Sequence, residues 1–250
     1  MITFNSNNLS STYLIVNRIN KSDAPQRELQ NETLSFQDGF VTMADFWRSR
    51  TVVIGGTIDA TSTGHLGDLL DTLKQNLSGV NKNLDVDYGS GTRRYKATMS
   101  RLEAPEDFYN ITHLPYTAEF TCQPFGYATS PTNFSSNDIT GASETDSVTI
   151  DGTYPAQPVI TIEFTASSGA SAVSFTNNET AETITIEETF STDDVLVINT
   201  ENHKVTLEGT QVDFDGPMIA FELGSNSFTL DIDSTSHTVD LDIDFTATFL

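Results

Sequence analysis

"GTYPAQPVITIEF", residues 152–164, sets a Gly, a Tyr and two prolines directly ahead of an alternating apolar run. Proline fixes φ and has no N–H to give a sheet ladder, so Pro155 and Pro158 belong at the entry or edge of a strand, not in its middle. Punctuation this dense, so far into a chain, reads as the start of a second domain. The length of 250 residues accommodates two, because domains of roughly 100–150 residues are the common size. The sequence therefore predicts domains at 1–130 and 131–250.

Charge divides the chain in the same place. Residues 1–130 carry 11 Lys and Arg against 14 Asp and Glu, a net of −3, whereas residues 131–250 carry only Lys204 against 21 acids, a net of −20. So acidic a half repels nucleic acid and anionic membrane surfaces, and adjacent copies repel one another within a Debye length of ~8–10 Å. No direct sequence-specific nucleic-acid binding and no membrane association are expected. Acid-rich, lysine-poor surfaces suit saline surroundings; the plainer reading is a surface kept soluble by its charge. No apolar run approaches the ~20 residues that span a bilayer, and "MITFNSNNLSS" lacks the basic and apolar regions of a signal peptide.

Hydrophobic residues make up 37% of the chain and include 16 Phe, enough for packed β-rich cores and too many for wholesale disorder. In the first half, "TYLIVNRINK" and "LSFQDGFVTMADFWRSRTVVIGGTIDA" are strand-forming runs broken by Asp-Gly and Gly-Gly. One helix stands out. In "TGHLGDLLDTLKQNLSG", Leu66, Leu69, Leu70, Leu73 and Leu77 follow helical spacing and Gly79 sits at the expected stop. A leucine stripe of this kind packs on a sheet as core. "NLDVDYGSGTRRYKATMSRLEA" then reads as a β-hairpin whose second arm holds Arg93, Arg94, Lys96 and Arg101, and "PYTAEFTCQPFGYA" supplies a further strand.

Residues 128–152 are rich in Ser, Thr, Asn, Asp and Gly and read as a connection that begins to form strands. After it come "SAVSFTN", "ETITIEETF", "DDVLVIN", "HKVTLEG", "QVDFDGPMIAFEL", "NSFTLDID" and "TVDLDIDFTATFL" at short spacing, the pattern of a β-sandwich. In the last of these, Val239, Leu241, Ile243, Phe245, Ala247 and Phe249 alternate with polar or acidic residues, so one face is buried and the other is acidic.

Signatures of chemistry are lacking. The four histidines are scattered without zinc-ligand spacing, and the single Cys122 excludes an internal disulfide and alternates with Phe120 as a buried thiol. No nucleophile elbow, Walker loop, HExxH or dinucleotide fingerprint occurs. Carboxylate pairs such as Glu187 with Glu188, or Glu201 with Glu208, fit a two-acid glycosidase in principle, but they arise readily by chance among 21 acids. "DFDGP" at 213–217 and "DVDYG" at 85–89 resemble fragments of calcium loops without the ligand at the twelfth position. No enzyme activity, cofactor or metal is expected.

Several segments together carry a resemblance. "NNLSSTYLIVNRI", "GFVTMADFWRSRTVVIGGTIDA" running into the leucine helix, the hairpin and "AEFTCQPFGYA" resemble the ring-forming domain of the distal tail (Dit) family of long, non-contractile phage tails. "GTYPAQPVITIEF", "SFTNNETAETITIEE" and "VLVINTENHKVTLEGTQV" resemble that family's C-terminal module. The resemblance implies a mainly β chain: an N-terminal β-sandwich-like ring domain with one α-helix and a β-hairpin, then a galectin-like, jelly-roll β-sandwich. It also implies a structural protein of the virion tail tip, made in the host cytoplasm. Six copies would form a ring, a homo-hexamer between the tail tube protein and the tail-associated hub and tape-measure proteins, with receptor-binding proteins or host saccharide as further partners.

A near-neutral first domain can pack against copies of itself, whereas a −20 domain is tolerable in a ring when held at the periphery. Interface residues expected on charge are Arg48, Arg50, Arg93, Arg94, Lys96 and Arg101, pairing with acids of a neighbour. The competing reading is a carbohydrate-binding module or adhesin-like β-sandwich; another phage or secretion-tube component and a hydrolase are more remote.

Overall fold

A computed structural model of the chain describes residues 2–20, 24–33, 38–105, 112–234 and 236–250. It divides into two compact units, Met1–Thr129 with Leu250, and Ser130–Phe249. The fold is mainly β with one helix among the described residues.

The first unit contains β1 (Ile2–Phe4), β2 (Asn7–Asn8), β3 (Leu14–Ile19), β4 (Arg27–Thr33), β5 (Phe40–Trp47), β6 (Arg50–Asp59), α1 (Thr63–Asn76), β7 (Lys82–Asp87), β8 (Thr92–Glu103), β9 (His113–Cys122) and β10 (Gly126–Ala128). Its main sheet runs β2-β1-β7-β8-β9-β6-β3, antiparallel throughout, with β10 added to β8. Period-two alternation sends Val52, Ile54 and Ile58 of β6 inward beside Leu114, Tyr116, Ala118 and Phe120 of β9. Gly56 is required at its place: a Cβ there would lie 2.6 Å from the Tyr116 ring and 2.4 Å from the carbonyl oxygen of Ile15.

The leucine periodicity forms α1 as expected. Ser62 is its N-cap, in extended backbone, and its hydroxyl accepts the His65 N–H at 3.2 Å. Leu73 and Leu77 are fully buried, and Leu66, Leu69 and Leu70 pack against the same core. Gly79, at φ 122, ends the segment. Strands β4 and β5 form a separate two-stranded sheet.

The second unit holds β11 (Thr132–Ile139), β12 (Ser143–Ile150), β13 (Val159–Ala170), β14 (Val173–Asn177), β15 (Glu182–Ile186), β16 (Phe190–Ser191), β17 (Val195–Asn199), β18 (Lys204–Leu207), β19 (Thr210–Gln211), β20 (Gly224–Ile232), β21 (His237–Phe245) and β22 (Thr248–Phe249). One sheet runs β11-β21-β13-β17-β18-β19, with β16 on β13, and the other runs β12-β20-β14-β15. Their inner faces share one core: Ile160, Ile162, Phe164, Leu241 and Ile243 from the first, and Phe175, Ile184, Phe228 and Leu230 from the second. This is a two-sheet sandwich.

The entry segment sits where its chemistry demands. Gly152 takes φ 128 with its Cα facing the Thr248 carbonyl, where a Cβ would come within 2.4 Å of the oxygen. Ala156 exchanges backbone hydrogen bonds with Phe221, and the Pro158 carbonyl accepts from the N–H and hydroxyl of Thr200. Only then does β13 begin, at Val159, paired on both sides by β17 and β21. The prolines thus precede a central strand and cost it no ladder bond.

Two expectations need correction. Residues 128–152 are not mainly a connection: most of them lie in β11 and β12, the outer strands of the two sheets, where a polar sequence pairs through its backbone with β21 and β20. Conversely, "QVDFDGPMIAFEL" is not a strand along its length. Asp215 exchanges two backbone hydrogen bonds with Thr185, Gly216 turns the chain at φ 103, and Ile219 and Phe221 are inserted into the core as an irregular segment.

Candidate subunit interface

The six expected cationic residues fall into separate surroundings. On β8, Tyr95 and Ala97 point inward, so Arg94 and Lys96 share the outer face, opposite Asp85 and Asn83 of β7. Arg94 donates from Nε and Nη2 to both Asp85 oxygens, each at 2.8 Å. This forked hydrogen bonding raises the guanidinium pKa further above its ordinary value. Lys96 Nζ donates to Asn83 Oδ1 at 2.7 Å. Arg93 lies over the Tyr88 ring, 4.2 Å from its centroid. The Tyr88 hydroxyl meets that of Tyr95 at 2.9 Å, and burial pushes its pKa far upward. Arg101 pairs with Glu103, and Arg48 with Glu28 at 2.5 Å.

Arg50 corrects the expectation outright. It is 5% exposed, with its guanidinium 5.0 Å from the Tyr95 ring centroid and Nη1 donating to the Tyr95 hydroxyl at 3.4 Å. The parity of β6 places position 50 on the inner face with Val52 and Ile54. A buried guanidinium presents no charge to a neighbouring copy. Proximity in sequence grouped Arg48 with Arg50, but Arg48 lies in the short connection between β5 and β6, on the solvent side, whereas Arg50 opens β6 on its inner face.

The calcium-like fragments are turns and pairs. Asp85 is committed to Arg94, Asp87 accepts the Gly89 N–H at 2.7 Å, and Asp215 and Gly216 form the backbone clasp on Thr185. Of the carboxylates weighed for hydrolysis, Glu208 accepts the Val195 N–H at 2.8 Å. Among the described residues, no group of three or more His, Cys, Asp or Glu is arranged to hold a metal ion. Cys122 is buried, and desolvation pushes its thiol up to about 12.

One feature of the surface escaped the sequence reading. Leu29, Phe40, Val41, Met43 and Phe46, all on β4 and β5, are between 42% and 64% exposed. They are half of the exposed large apolar side chains among the described residues. The signal present in the sequence was the loss of alternation in "FVTMADFW": apolar residues on both faces of a strand need cover on both.

Residues 151–249 match the family model for the siphovirus-type tail component, C-terminal domain. No curated protein sequence matches the chain. Among solved structures, the chain is similar to the SPP1 Dit protein, described as a paradigm of the hub adsorption apparatus in phages infecting Gram-positive hosts. The TM-score is 0.75 at 15% identity, over 100% of this chain and 98% of that one. Two chains of the phage P2 baseplate in its activated conformation, one with calcium and one with strontium, give TM-scores of 0.44 and 0.43 at 10% and 9% identity. Each alignment covers 91% of this chain and 89% of the other. Residues 151–249 thus match the siphovirus-type tail component family, and the chain over its whole length has the fold of the SPP1 Dit protein.

Proposed function

We propose that this protein forms a hexameric ring at the tip of a siphophage tail, between the tail tube and the proteins of the adsorption hub. The observation that carries this reading is the family match over residues 151–249. The charge distribution supports it: a unit of net −3 tolerates close repetition about an axis, while copies of a −20 unit are best held apart at a rim. The protein acts by holding partners in register and not by catalysis, and its fold supplies two independently packed cores for that purpose. Arg48, Arg93, Arg94, Lys96 and Arg101 remain candidates for contacts with a neighbouring copy or a partner, with Arg48, Arg94 and Arg101 already ion-paired within the protomer.

Light scattering coupled to size exclusion, at low salt and at ~0.5 M salt where screening is short, tests the ring. Six-fold particles by negative-stain imaging are the expected result. A protein that stays monomeric at every salt and concentration, including in the presence of purified tail tubes, would overturn it.

A further inference from the structure

We infer that residues 212–223 are a latch on the chain's entry into the second unit, and that its two ends release together. The segment leaves β19, at the edge of one sheet, and runs to β20 in the other. It forms no strand of its own and is held by separate ties. Val212 donates its N–H to the Val205 carbonyl, and Asp215 exchanges backbone hydrogen bonds of 2.8 and 2.9 Å with Thr185 on β15, the edge strand of the second sheet. The Ala220 carbonyl accepts from Asn177 Nδ2 at 2.8 Å. Phe221 exchanges both of its backbone bonds with Ala156 of the entry segment, each at 2.9 Å. Beyond it, Glu222 donates its N–H to Asn226 Oδ1, and its carbonyl accepts from Asn226 Nδ2. Asn177 and Asn226 are fully buried, so two side-chain amides stand in for a neighbouring strand.

The segment has no slack between these ties. Gly216 lies so close to β15 that a Cβ would fall 2.0 Å from the Thr183 carbonyl oxygen, Pro217 fixes φ, and Ile219 is buried in the core. Phe221 is fully buried beside Phe175 of β14 and Phe228 of β20, with ring centroids 6.5 and 6.4 Å away. Lifting Asp215 off Thr185 therefore pulls on Ile219 and Phe221, and withdrawing Phe221 strips Ala156 of its partner. Ala156 is itself fully buried and set between Pro155 and Pro158, which have no N–H to give. A buried N–H and carbonyl left unpaired are costly, so the entry segment opens to water when Phe221 leaves. The clasp on β15 and the hold on the entry segment thus form one cooperative unit. Its few backbone bonds, and the exposed Phe214 and Leu223 near its ends, set its stability below that of the sheets. Coupling is reciprocal. A chain that took the place of Asp215 on Thr185 would loosen the entry segment without touching it, and tension on the entry segment would free the β15 edge.

Native-state amide exchange on the full chain, followed residue by residue where rates report opening equilibria, tests the latch. In the wild-type protein the Ala156, Thr185, Asp215 and Phe221 amides are expected to share one opening equilibrium. They should be at least about 10-fold less protected than the amides of β13, which is paired on both sides. Gly216→Ala, which strains the clasp end, is expected to accelerate all four by the same factor of about 10 or more. Phe221→Leu, at the entry end, is expected to accelerate Thr185 and Asp215 as much as Ala156. Four amides that split into two classes, or an acceleration confined to the substituted end, would overturn the coupling. Protection equal to that of β13 would overturn a separate opening. The wild-type measurement decides even where a variant fails to fold.

Discussion

Gly216 is held in a backbone region that side chains rarely adopt, and a Cβ there would fall 2.0 Å from the Thr183 carbonyl oxygen. Gly216→Ala therefore meets strain and backbone collision together. A loss of at least about 2 kcal/mol is expected, read as a lower urea midpoint at unchanged slope. A midpoint within error of wild type would show that the clasp on Thr185 is dispensable. Cys122 makes a second prediction at this scale. Its thiol is raised to about 12 by burial, so at about pH 8 a thiol reagent should leave it unmodified until denaturant is added. The sign of the linkage follows from the raised value. The unfolded thiol ionises first, so this group's contribution is intact below its unfolded pKa and is lost as pH rises through the folded one.

At the scale of elements, α1 depends on its cap and its buried face in separable ways. Ser62→Ala removes the oxygen that accepts the His65 N–H and should cost about 1 kcal/mol. Leu73→Ala empties a fully buried site and should cost about 2–5 kcal/mol. Equal losses for the two, measured by denaturation, would contradict the packing. In the β4–β5 arm, Arg48 holds the Glu28 carboxyl, and Arg27 that of Asp45, below the ordinary carboxylate range. Both carboxylates are lowered, so the pairs support the arm's register above that range and fail as pH falls through it. Amide exchange on the arm should be insensitive between about pH 5 and 8 and accelerate, beyond the intrinsic change, only in more acid solution. Exposure keeps the effect small.

For the molecule as a whole, each unit closes its own core. Residues 130–250 expressed alone should thus fold with cooperative unfolding. Their net charge of −20 makes that unit self-repelling, so its denaturation midpoint should rise between about 10 mM and 0.5 M salt. A midpoint that fell with salt would mean that attractive pairs, not repulsion, dominate its surface.

What the sequence by itself determined are the features written in local chemistry. The Gly and Pro entry to β13, the leucine face of α1, the Gly-Ser-Gly hairpin and the alternation of β21 were all legible, because each depends on backbone geometry or on one buried face. The charge split was legible because it is a count. Only the tertiary structure decided the rest. β11 and β12 are strands because β21 and β20 offer them backbone partners, and their polar residues carry no sign of that. Arg48 and Arg50, two positions apart, differ in fate because Arg48 lies in the connection before β6 and the parity of β6 sets Arg50 against Tyr95. The bare faces of the arm follow from what does not cover them within the chain, and burial by distant segments is not a property that neighbouring residues encode.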